Sequence, residues 1–422
     1  MKLKILFSLM LISIFFQNCT KDTCKETYNG VTYTPIYAPM SALRNVSVEA
    51  GKPIKTNGKI FIKGDYIFLN EVDKGFHIIN NTNPANPVNI AFVKVPGNLD
   101  ITGKGNFLFV DNYVDLLTFD ITYPANIQLI NRKESALPFR QYNYGFIDDS
   151  TRGIIIGFDK KLEQKTNDCG QSFWRNSGIG TRVDGIFFAQ ALSPAPKINI
   201  GGGAGDKGLT GSLSRFALLN NYLYIANRTS LTPIDISNPT LPIIKQAVYT
   251  GEQETIYPFK ENLFIGTPSG LNIYGTSNPA VPNYISSYKH WRGCDPVVVE
   301  NDIAYVTVRG GGPCGGTRNN LDVINVSNIS QPILIKQYQM QNPYGLGVFN
   351  TKLGICDGDG GFKIYNASNS NNIQLISTIN LNKAFDVIMD DQVAILIADD
   401  GLYQYNISGT TPQLISKIPI IK

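Results

Sequence analysis

The chain has 422 residues, of which 43% are hydrophobic and 17% charged, so it is long and apolar enough to bury a sizeable core. Its formal net charge of +4 at pH 7 is spread over the whole length, without the clustered Lys/Arg stripe that a nucleic-acid surface needs. After the amino terminus no apolar stretch reaches the roughly eighteen residues of a membrane span, which excludes a later transmembrane helix.

The amino terminus has the pattern of an export signal. Lys2 and Lys4 precede an unbroken apolar run over residues 5–16, and Gln17-Asn18-Cys19 follows it. A cysteine directly after the apolar region predicts lipoprotein processing, with Cys19 as the acylated first residue. Because Gln17 and Asn18 are not the small residues of a typical lipobox, ordinary secretion with cleavage nearby is the alternative. The predicted divisions are a lipoprotein signal peptide over 1–18, a tether over 19–43 and a folded domain over 44–422.

Further along the chain, a short phrase recurs about every forty residues. An apolar strand ends in Asp or Asn, and Ser or Thr stands two places on. Between capping positions the steps are 40 residues (80 to 120), 41 (325 to 366) and 40 (366 to 406). One such unit cannot bury its own apolar faces, so the period predicts a propeller or a solenoid. The clearest copies lie at residues 79–84, 119–124, 234–239, 324–328, 365–369 and 405–409.

Each repeat reads as four short strands, bounded by Gly, Asp, Asn and Pro. With a degenerate third repeat over 139–200 and a further one around Gly275, the count is eight, so we predict an all-β, eight-bladed β-propeller over 44–422. A seven-bladed ring with the degenerate repeat folded as an insertion is the alternative, and an open solenoid is less favoured because neither end has a polar cap. Closure has no obvious borrowed strand unless residues 46–54 add to a terminal blade.

The repeats carry a family resemblance. Leu-Leu-Thr-Phe-Asp-Ile-Thr (116–122), Leu-Thr-Pro-Ile-Asp-Ile-Ser (231–237) and Leu-Asp-Val-Ile-Asn-Val-Ser (321–327) look like the LVIVD repeat. The whole chain resembles the LVIVD-repeat β-propeller lipoproteins of Bacteroidetes, and Thr20-Lys21-Asp22 resembles the charged tag of surface-exported members. The resemblance implies a secreted propeller anchored by lipid at the outer membrane or cell surface. It supplies no catalytic residues.

In a propeller, one face is built from the loops before each first strand and between the second and third strands. Here these loops gather acids, arginines and tyrosines, which suits a polar ligand such as a glycan or a peptide end. The Asp positions are better explained as turn residues, whereas the ligand role is favoured for Arg140, Arg215 and Arg309 because Arg has no turn role. Trp291 could stack on a sugar or pack in the core. The predicted ligand-binding residues are Arg140, Tyr144, Arg215, Glu254, Trp291, Arg292, Asp295, Arg309, Tyr344 and Asp357.

Catalytic and metal chemistry have few candidates. Of two histidines, His77 lies on a strand and is predicted to be structural, whereas His290 could act as a base with Asp295. Asp357-Gly358-Asp359-Gly360-Gly361 has the alternating carboxylates of a calcium loop but lacks a later acidic ligand, so a plain Asp-Gly hairpin is the favoured interpretation.

Five cysteines follow Cys19, and in an exported protein they are disulfide candidates before they are zinc ligands. Their odd number leaves at least one thiol unpaired. Cys294 with Cys314 is the first-choice pair, because it would pin a glycine-rich loop to its own blade. The remaining three are Cys24, Cys169 and Cys356.

Together these features predict a cell-envelope lipoprotein whose propeller is a non-catalytic binding or scaffolding module for a glycan or a protein. Contact with the membrane is expected through the lipid alone. No cofactor is expected apart from the calcium considered above. The alternative is a propeller-type hydrolase or lyase with His290 and Asp295, or a metal held by carboxylates, at the central mouth.

Overall fold

A computed structural model describes residues 25–140, 142, 145–168, 182–183, 186–190, 209–210, 212–293, 296–311, 316–390 and 392–421. The chain divides into two compact units, Met1–Ala38 with Gln141–Ile198 and Pro39–Arg140 with Asn199–Lys422. Nearly all regular structure in the described ranges is β-strand. Within them no helix has the length and hydropathy to cross a membrane.

The second unit contains seven antiparallel sheets, which we number as blades 1 to 7 along the chain. Blade 1 has the strands Ile60–Lys63, Tyr66–Glu71, Gly75–Asn80 and Val88–Lys94, and blade 2 has Ile101–Lys104, Phe107–Asn112, Asp115–Asp120 and Gln128–Lys133. Blade 3 has Phe216–Leu219, Tyr222–Ala226, Ser230–Asp235 and an outer strand in two pieces, Ile243–Ile244 and Val248–Tyr249. Blade 4 has Thr255–Phe259, Asn262–Thr267, Gly270–Gly275 and Asn283–Lys289.

The last three blades are regular. Blade 5 has Val297–Glu300, Ile303–Arg309, Asn319–Asn325 and Ile333–Gln339, and blade 6 has Leu346–Phe349, Lys352–Cys356, Phe362–Asn366 and Gln374–Ile379. Blade 7 has Ala384–Met389, Val393–Ala398, Gly401–Asn406 and Gln413–Pro419. Two short strands, Ser47–Ala50 and Leu209–Thr210, add to the outer and inner edges of blade 1, and the short helices are Met40–Leu43 and the 3₁₀ turn Pro124–Asn126.

The seven blades close into a ring. Their innermost strands adjoin in chain order, and the first strand of blade 7 adjoins that of blade 1. Each consecutive pair of blades shares an apolar cluster. At the closure, Ile67 and Leu69 of blade 1 pack with Ile395 and Leu402 of blade 7. Since burying one such side chain contributes roughly 1.5–3 kcal/mol, these clusters are what joins one blade to the next.

Closure also uses the segment before blade 1. Ser47–Ala50 pairs antiparallel with the outer strand Val88–Lys94, and Ile54 forms a parallel bridge with Ile420 near the end of the chain. The prediction that residues 46–54 add to a terminal blade is therefore confirmed. The segment thus contacts both the outer strand of blade 1 and the residues that follow the outer strand of blade 7.

The predicted count of eight blades is wrong, and the seven-bladed alternative is confirmed. The strands Ile154–Asp168 and Ile186–Gln190, from the expected third repeat, pair with Lys25–Ala38 instead. Together with Arg182–Val183 they form one sheet of the first unit, over an apolar cluster of Tyr33, Tyr142, Phe146 and Ile155. This stretch lacks the capped strand ends of the other repeats, and a strand of 15 residues is too long for a propeller blade.

The repeated phrase ends the third strand in six blades by one mechanism. The side-chain oxygen of the last Asp or Asn accepts a hydrogen bond from the backbone N–H two residues on, at 2.7–3.0 Å. This side-chain turn stops the strand and redirects the chain into the outer strand. Blade 4 has Gly275 at this position and so has no side chain to form this turn, although the Thr276 N–H donates to the Glu261 carbonyl as the equivalent N–H does in the other blades, and the Thr276 hydroxyl donates to the same carbonyl at 2.8 Å.

Candidate functional site

A segment before blade 3 occupies the centre of the ring at the loop face. Leu209–Thr210 pairs with the inner strand of blade 1. The Ser212 hydroxyl donates to Asp386 of blade 7 at 3.3 Å and accepts the first N–H of blade 6 at 2.8 Å. The Ser214 hydroxyl donates to Asp100, at the start of blade 2, at 2.6 Å. Because one segment bonds to four blades, the central mouth is filled by the protein itself.

Asp111 organises the charged groups around this segment. Its carboxylate is 1% exposed and accepts the backbone N–H groups of Leu99 and Asp100 at 2.8 and 2.9 Å. It also accepts the Asn98 amide at 2.9 Å and the Arg215 guanidinium at 2.8 Å. Arg215, predicted to bind a ligand, is therefore paired with a carboxylate of the protein.

Arg140 has a similar environment. It is 7% exposed, its guanidinium donates to Asp73 at 2.7 Å and to the Gly97 carbonyl, and it lies 4.4 Å from the centre of the Tyr113 ring. These contacts hold the loop between the second and third strands of blade 1 against blade 2. A ligand role for Arg140 stays a prediction, and its guanidinium would have to be shared with these partners.

Two further charges are buried beside the same segment. The Lys59 ammonium lies 4.0 Å from Asp100 and has no hydrogen-bond partner among the described residues. Burial lowers the pKa of Lys59, and burial raises the pKa of Asp386 to about 7 despite the nearby Lys59 charge. We call Lys59, Asp100, Asp111, Arg140, Arg215 and Asp386 the central network.

Asp357 anchors a loop. It is fully buried and accepts the N–H groups of Gln341 and Asn342 at 3.0 and 2.9 Å and the Lys363 ammonium at 2.6 Å. A calcium ion would have to displace Lys363, so the residues present do not fit that ion. Asp359 lies in the tight turn that follows, and no group of three His, Cys, Asp or Glu residues in the described part of the chain could hold a metal.

The remaining predicted residues are spread around the loop face. Arg309 lies over the Tyr344 ring at 4.1 Å, both half-buried, and Glu254 is half-buried before blade 4. His290 Nδ1 is 2.5 Å from the Trp291 carbonyl oxygen. Trp291 is 69% exposed, with Arg318 5.0 Å from its ring. Tyr144, Asp295, Cys19, Cys24, Cys169, Cys294 and Cys314 lie outside the described residues.

Sequence reasoning missed a cavity of about 390 Å³ on blade 4, which we call the blade 4 cavity. Its lining runs over 250–252, 267–269 and 287–289, with Asn272 and Arg292. Leu271 and Ile273 pack toward blade 5, so the alternating Asn272 faces blade 3. The outer strand of blade 3 is interrupted between Ile244 and Val248, and the residues that follow it, 250–252, line the cavity.

Three polar side chains in the blade 4 cavity have no hydrogen-bond partner within the described ranges: Ser269, Asn272 and Ser287. Asn272 and Ser287 stand directly opposite each other on paired strands. Polar groups that line a concave surface without internal partners are available to a ligand. One feature of the sequence could have indicated this cavity. Asn272 lies in the third strand of blade 4, and the preceding blade has a weak pattern for its outer strand.

The rim of this cavity carries charged side chains. Glu252 accepts from Arg228 at 2.8 Å and lies 3.8 Å from Arg292, whose side chain is 61% exposed. Lys289 is exposed and has no ion pair in the part of the chain that the structure describes. The rim therefore carries Glu252 together with Arg228, Lys289 and Arg292. Arg292, predicted from sequence, lies at this cavity rather than at the centre of the ring.

The LVIVD repeat family model matches residues 57–94, 210–250 and 295–340. No curated protein matches the sequence. A chain of the mitotic checkpoint complex is similar in structure, with a TM-score of 0.52 and 9% identity over 86% of this chain and 94% of that one. Kluyveromyces lactis Hsv2 has a TM-score of 0.51 and 10% identity over 87% of this chain and 100% of that one. BamB from Moraxella catarrhalis has a TM-score of 0.46 and 9% identity over 88% of this chain and 96% of that one.

At identities this low, the structural similarity is one of fold alone. The family matches fall on blades 1, 3 and 5, and the intervening blades repeat the same strand order and the same capped third strand, except for the cap of blade 4. The chain therefore carries LVIVD repeats, and these repeats build blades of a seven-bladed β-propeller.

Proposed function

We propose that this protein is a cell-envelope lipoprotein whose propeller is a non-catalytic binding module for a glycan or a protein, with its ligand site at the blade 4 cavity. The observation that carries the proposal is the set of unpartnered polar side chains in that cavity, Ser269, Asn272 and Ser287.

The contrast with the central mouth supports this location. A ligand at the mouth would have to displace Ser212 and Ser214 and break the pairing of Arg215 with Asp111. In the blade 4 cavity a ligand would gain hydrogen bonds without breaking any made by those three side chains. Its volume of about 390 Å³ also lies within the roughly 300–1,000 Å³ of small-ligand sites.

A protein ligand has one further support. A similar fold forms part of the mitotic checkpoint complex, which is an assembly of proteins. The exposed Trp291 and Arg292 are also of the residue types that dominate the energetics of protein interfaces.

The binding site is tested with an array of glycans and peptides probed with the full chain and with Ser287→Phe, which fills the cavity. The matched control is Thr378→Phe, at the same register position on the outer strand of blade 6, opposite Lys363 as Ser287 is opposite Asn272. We expect Ser287→Phe to lose the ligands that the native chain and the control retain. Unchanged binding by Ser287→Phe would place the site elsewhere.

The envelope location rests on the amino-terminal sequence, with Lys2 and Lys4, the apolar run and Cys19. Metabolic labelling with a palmitate analogue is expected to mark the native chain at Cys19 and to leave Cys19→Ser unlabelled. Membrane fractionation should then release the Cys19→Ser chain into the soluble exported fraction. Equal secretion of both chains without labelling would favour ordinary signal cleavage.

A further inference from the structure

We propose that two copies of this protein pair through the strand Ile154–Asp168 of the first unit, antiparallel and with Leu162 of one copy opposite Leu162 of the other. We call Ile154–Asp168 the edge strand. This surface is separate from the blade 4 cavity and does not depend on the proposed function. Three observations carry the proposal: a long strand at the edge of its sheet, an exposed apolar side chain near its middle, and charges that are complementary about that side chain.

The edge strand lies at the end of a four-stranded sheet. It pairs antiparallel with Lys25–Ala38 along its length, and among the described residues no strand pairs with its other side. At 15 residues it is longer than most strands, so a long row of backbone N–H and C=O groups faces away from Lys25–Ala38. Such a row is a template to which another chain can add a strand.

Leu162 is an apolar side chain on this edge that the fold leaves 70% exposed. It is paired with Val31 of the neighbouring strand, whose side chain packs against the apolar cluster around Tyr33. In an antiparallel pair of strands, opposed residues share one face of the sheet, with their Cβ atoms about 4.5–5.5 Å apart. Placing Leu162 opposite its counterpart would therefore remove part of both side chains from water.

The charges beside Leu162 are complementary in the same pairing. Over 159–165 the sequence reads Asp-Lys-Lys-Leu-Glu-Gln-Lys, so the positions one and three residues to either side of Leu162 carry opposite charges. Centred on Leu162, Lys161 of each copy lies opposite Glu163 of the other. Centring the pair on position 161 or 163 would oppose two lysines or two glutamates. Charges on an edge strand usually prevent its pairing with another chain, whereas these favour pairing with a second copy.

Lys161 and Glu163 are already placed for this contact. Lys161 Nζ lies 2.9 Å from Glu163 Oε1, and the Thr32 hydroxyl of the neighbouring strand donates to Glu163 Oε2 at 3.1 Å. The Lys161 side chain is 77% exposed. Pairing of two copies would keep each of these ion pairs and bring the two together, so that four charges of alternating sign surround the two-fold axis. Such networks are more stabilising than isolated surface pairs.

The first test is disulfide cross-linking of the full chain carrying Cys19→Ser, so that no lipid brings two copies together. Leu162→Cys would place two thiols opposite each other, at the Cα separation that a disulfide needs. Under mild oxidation we expect this variant to form covalent dimers. The Cys19→Ser parent and Gln164→Cys should not form them, because position 164 would lie opposite position 160. Dimers of Gln164→Cys in place of Leu162→Cys would overturn the pairing through Leu162.

The second test is sedimentation equilibrium of the same parent chain, which we expect to dimerise reversibly. Lys161→Glu would oppose acidic side chains at two places and should raise the dissociation constant at least about tenfold. Adding Glu163→Lys exchanges the two signs and should restore the constant to within about threefold of the parent.

Lys160→Glu is the matched control, because it makes the same change of charge at an exposed neighbouring position that would lie opposite the neutral Gln164. It should leave the dissociation constant within about threefold of the parent. A parent chain that stays monomeric at every concentration would overturn the proposal. So would a dimer that Lys161→Glu leaves unchanged, or one that the exchange of signs does not restore.

Discussion

The centre of the ring and the blade 4 cavity both contain polar side chains at the loop face, yet they differ in what those side chains do. In the centre, Asp111 accepts four hydrogen bonds and Arg215 is paired with it. In the cavity, the side chains of Asn272 and Ser287 bond to no part of the chain that the structure describes. Charge and concavity alone would have favoured the centre. The cavity is the better candidate for a ligand site, because its polar side chains are not already hydrogen-bonded within the described chain.

The same lesson holds at one repeated position, three residues before the end of each third strand. There Lys363 donates to Asp357 at 2.6 Å, Tyr403 donates to Asp400 at 3.0 Å and Asp322 accepts from Gln337 at 2.9 Å. Blade 4 has Asn272 at this position, and its side chain has no such partner among the described residues. A repeat protein thus carries its own internal controls, because equivalent positions share backbone geometry.

The largest effect is expected from breaking the central network. Asp111→Ala leaves Arg215 and several backbone N–H groups without their acceptor, so unfolding free energy should fall by about 3–5 kcal/mol. Glu49→Ala, which removes an exposed pair with Lys52 at 3.0 Å, should cost about 0.2–1 kcal/mol. Urea unfolding measures both. Similar losses for the two variants would show that the central network is not structural.

A second effect concerns the rim of the cavity. A Cβ at Gly316 would overlap the Arg292 carbonyl oxygen, so these two loops of blade 5 pack backbone against backbone. Cys294 and Cys314 each lie two residues from this contact. A disulfide between them would close a loop and raise the unfolding free energy by about 3 kcal/mol. Peptide mapping without reduction should find Cys294 joined to Cys314. It should find Cys356 as a free thiol that reacts only after unfolding, because it is buried and burial raises its pKa.

Cys294→Ser should lower the unfolding free energy by about 3 kcal/mol. It should also weaken binding at the cavity, since Arg292 precedes that cysteine by two residues. Recovery of Cys294 joined to Cys24 or Cys169 would contradict the pairing. So would a chain in which all of these thiols are free.

Much of the fold could be predicted from the sequence because it is local. The turn at Asp235 or Asn325 depends on a side chain and an N–H two residues apart, so the phrase reveals the strand ends directly. The blade count could not be obtained in this way. It depends on whether Ile154–Asp168 pairs with neighbours in the chain or with Lys25–Ala38, and such long-range pairing leaves no mark within one repeat.

The candidate site shows the same difference between local features, which the sequence predicts, and long-range ones, which it does not. The face that carries Arg215 and Arg292 could be predicted from strand order. Whether Arg215 is available could not, because its partner Asp111 is 104 residues away. The significance of Asn272 depends on a cavity lined by residues 250–252, which follow blade 3, and by residues of blade 4, so it is a property of two blades together.

A third prediction uses the pH dependence of stability. Burial raises the pKa of Asp386 from 3.8 to about 7, so the native state holds a proton that the unfolded state releases. Stability should therefore fall as pH rises from about 4 to about 7, by at most about 1.4 kcal/mol per pH unit. Asp386→Asn keeps the acceptor for Ser212 and should flatten this slope in urea unfolding between these pH values. Asp100, whose pKa burial also raises, leaves a residual slope of the same sign.

Lys59 faces Asp386 and Asp100, and its own pKa is lowered by burial. This lowered pKa acts in the opposite direction to that of Asp386, because a native state that releases the Lys59 proton more readily gains stability as pH rises. An unchanged slope in Asp386→Asn would mean that Asp386 is ionised in the native state at low pH and is paired with Lys59.

The smallest effect on stability, and the sharpest comparison, comes from two alanine substitutions at the repeated third-strand position. Lys363→Ala leaves the buried Asp357 without its cation and should cost about 1–3 kcal/mol in unfolding free energy, with ligand binding unchanged. Asn272→Ala breaks no hydrogen bond of the described chain, so it should change stability by less than about 0.5 kcal/mol while weakening binding. Because the backbone register is the same, the two results separate a polar residue kept for the fold from one kept for a ligand. A costly Asn272→Ala would mean that this side chain has a structural partner, and the cavity would lose the feature that distinguishes it from the centre.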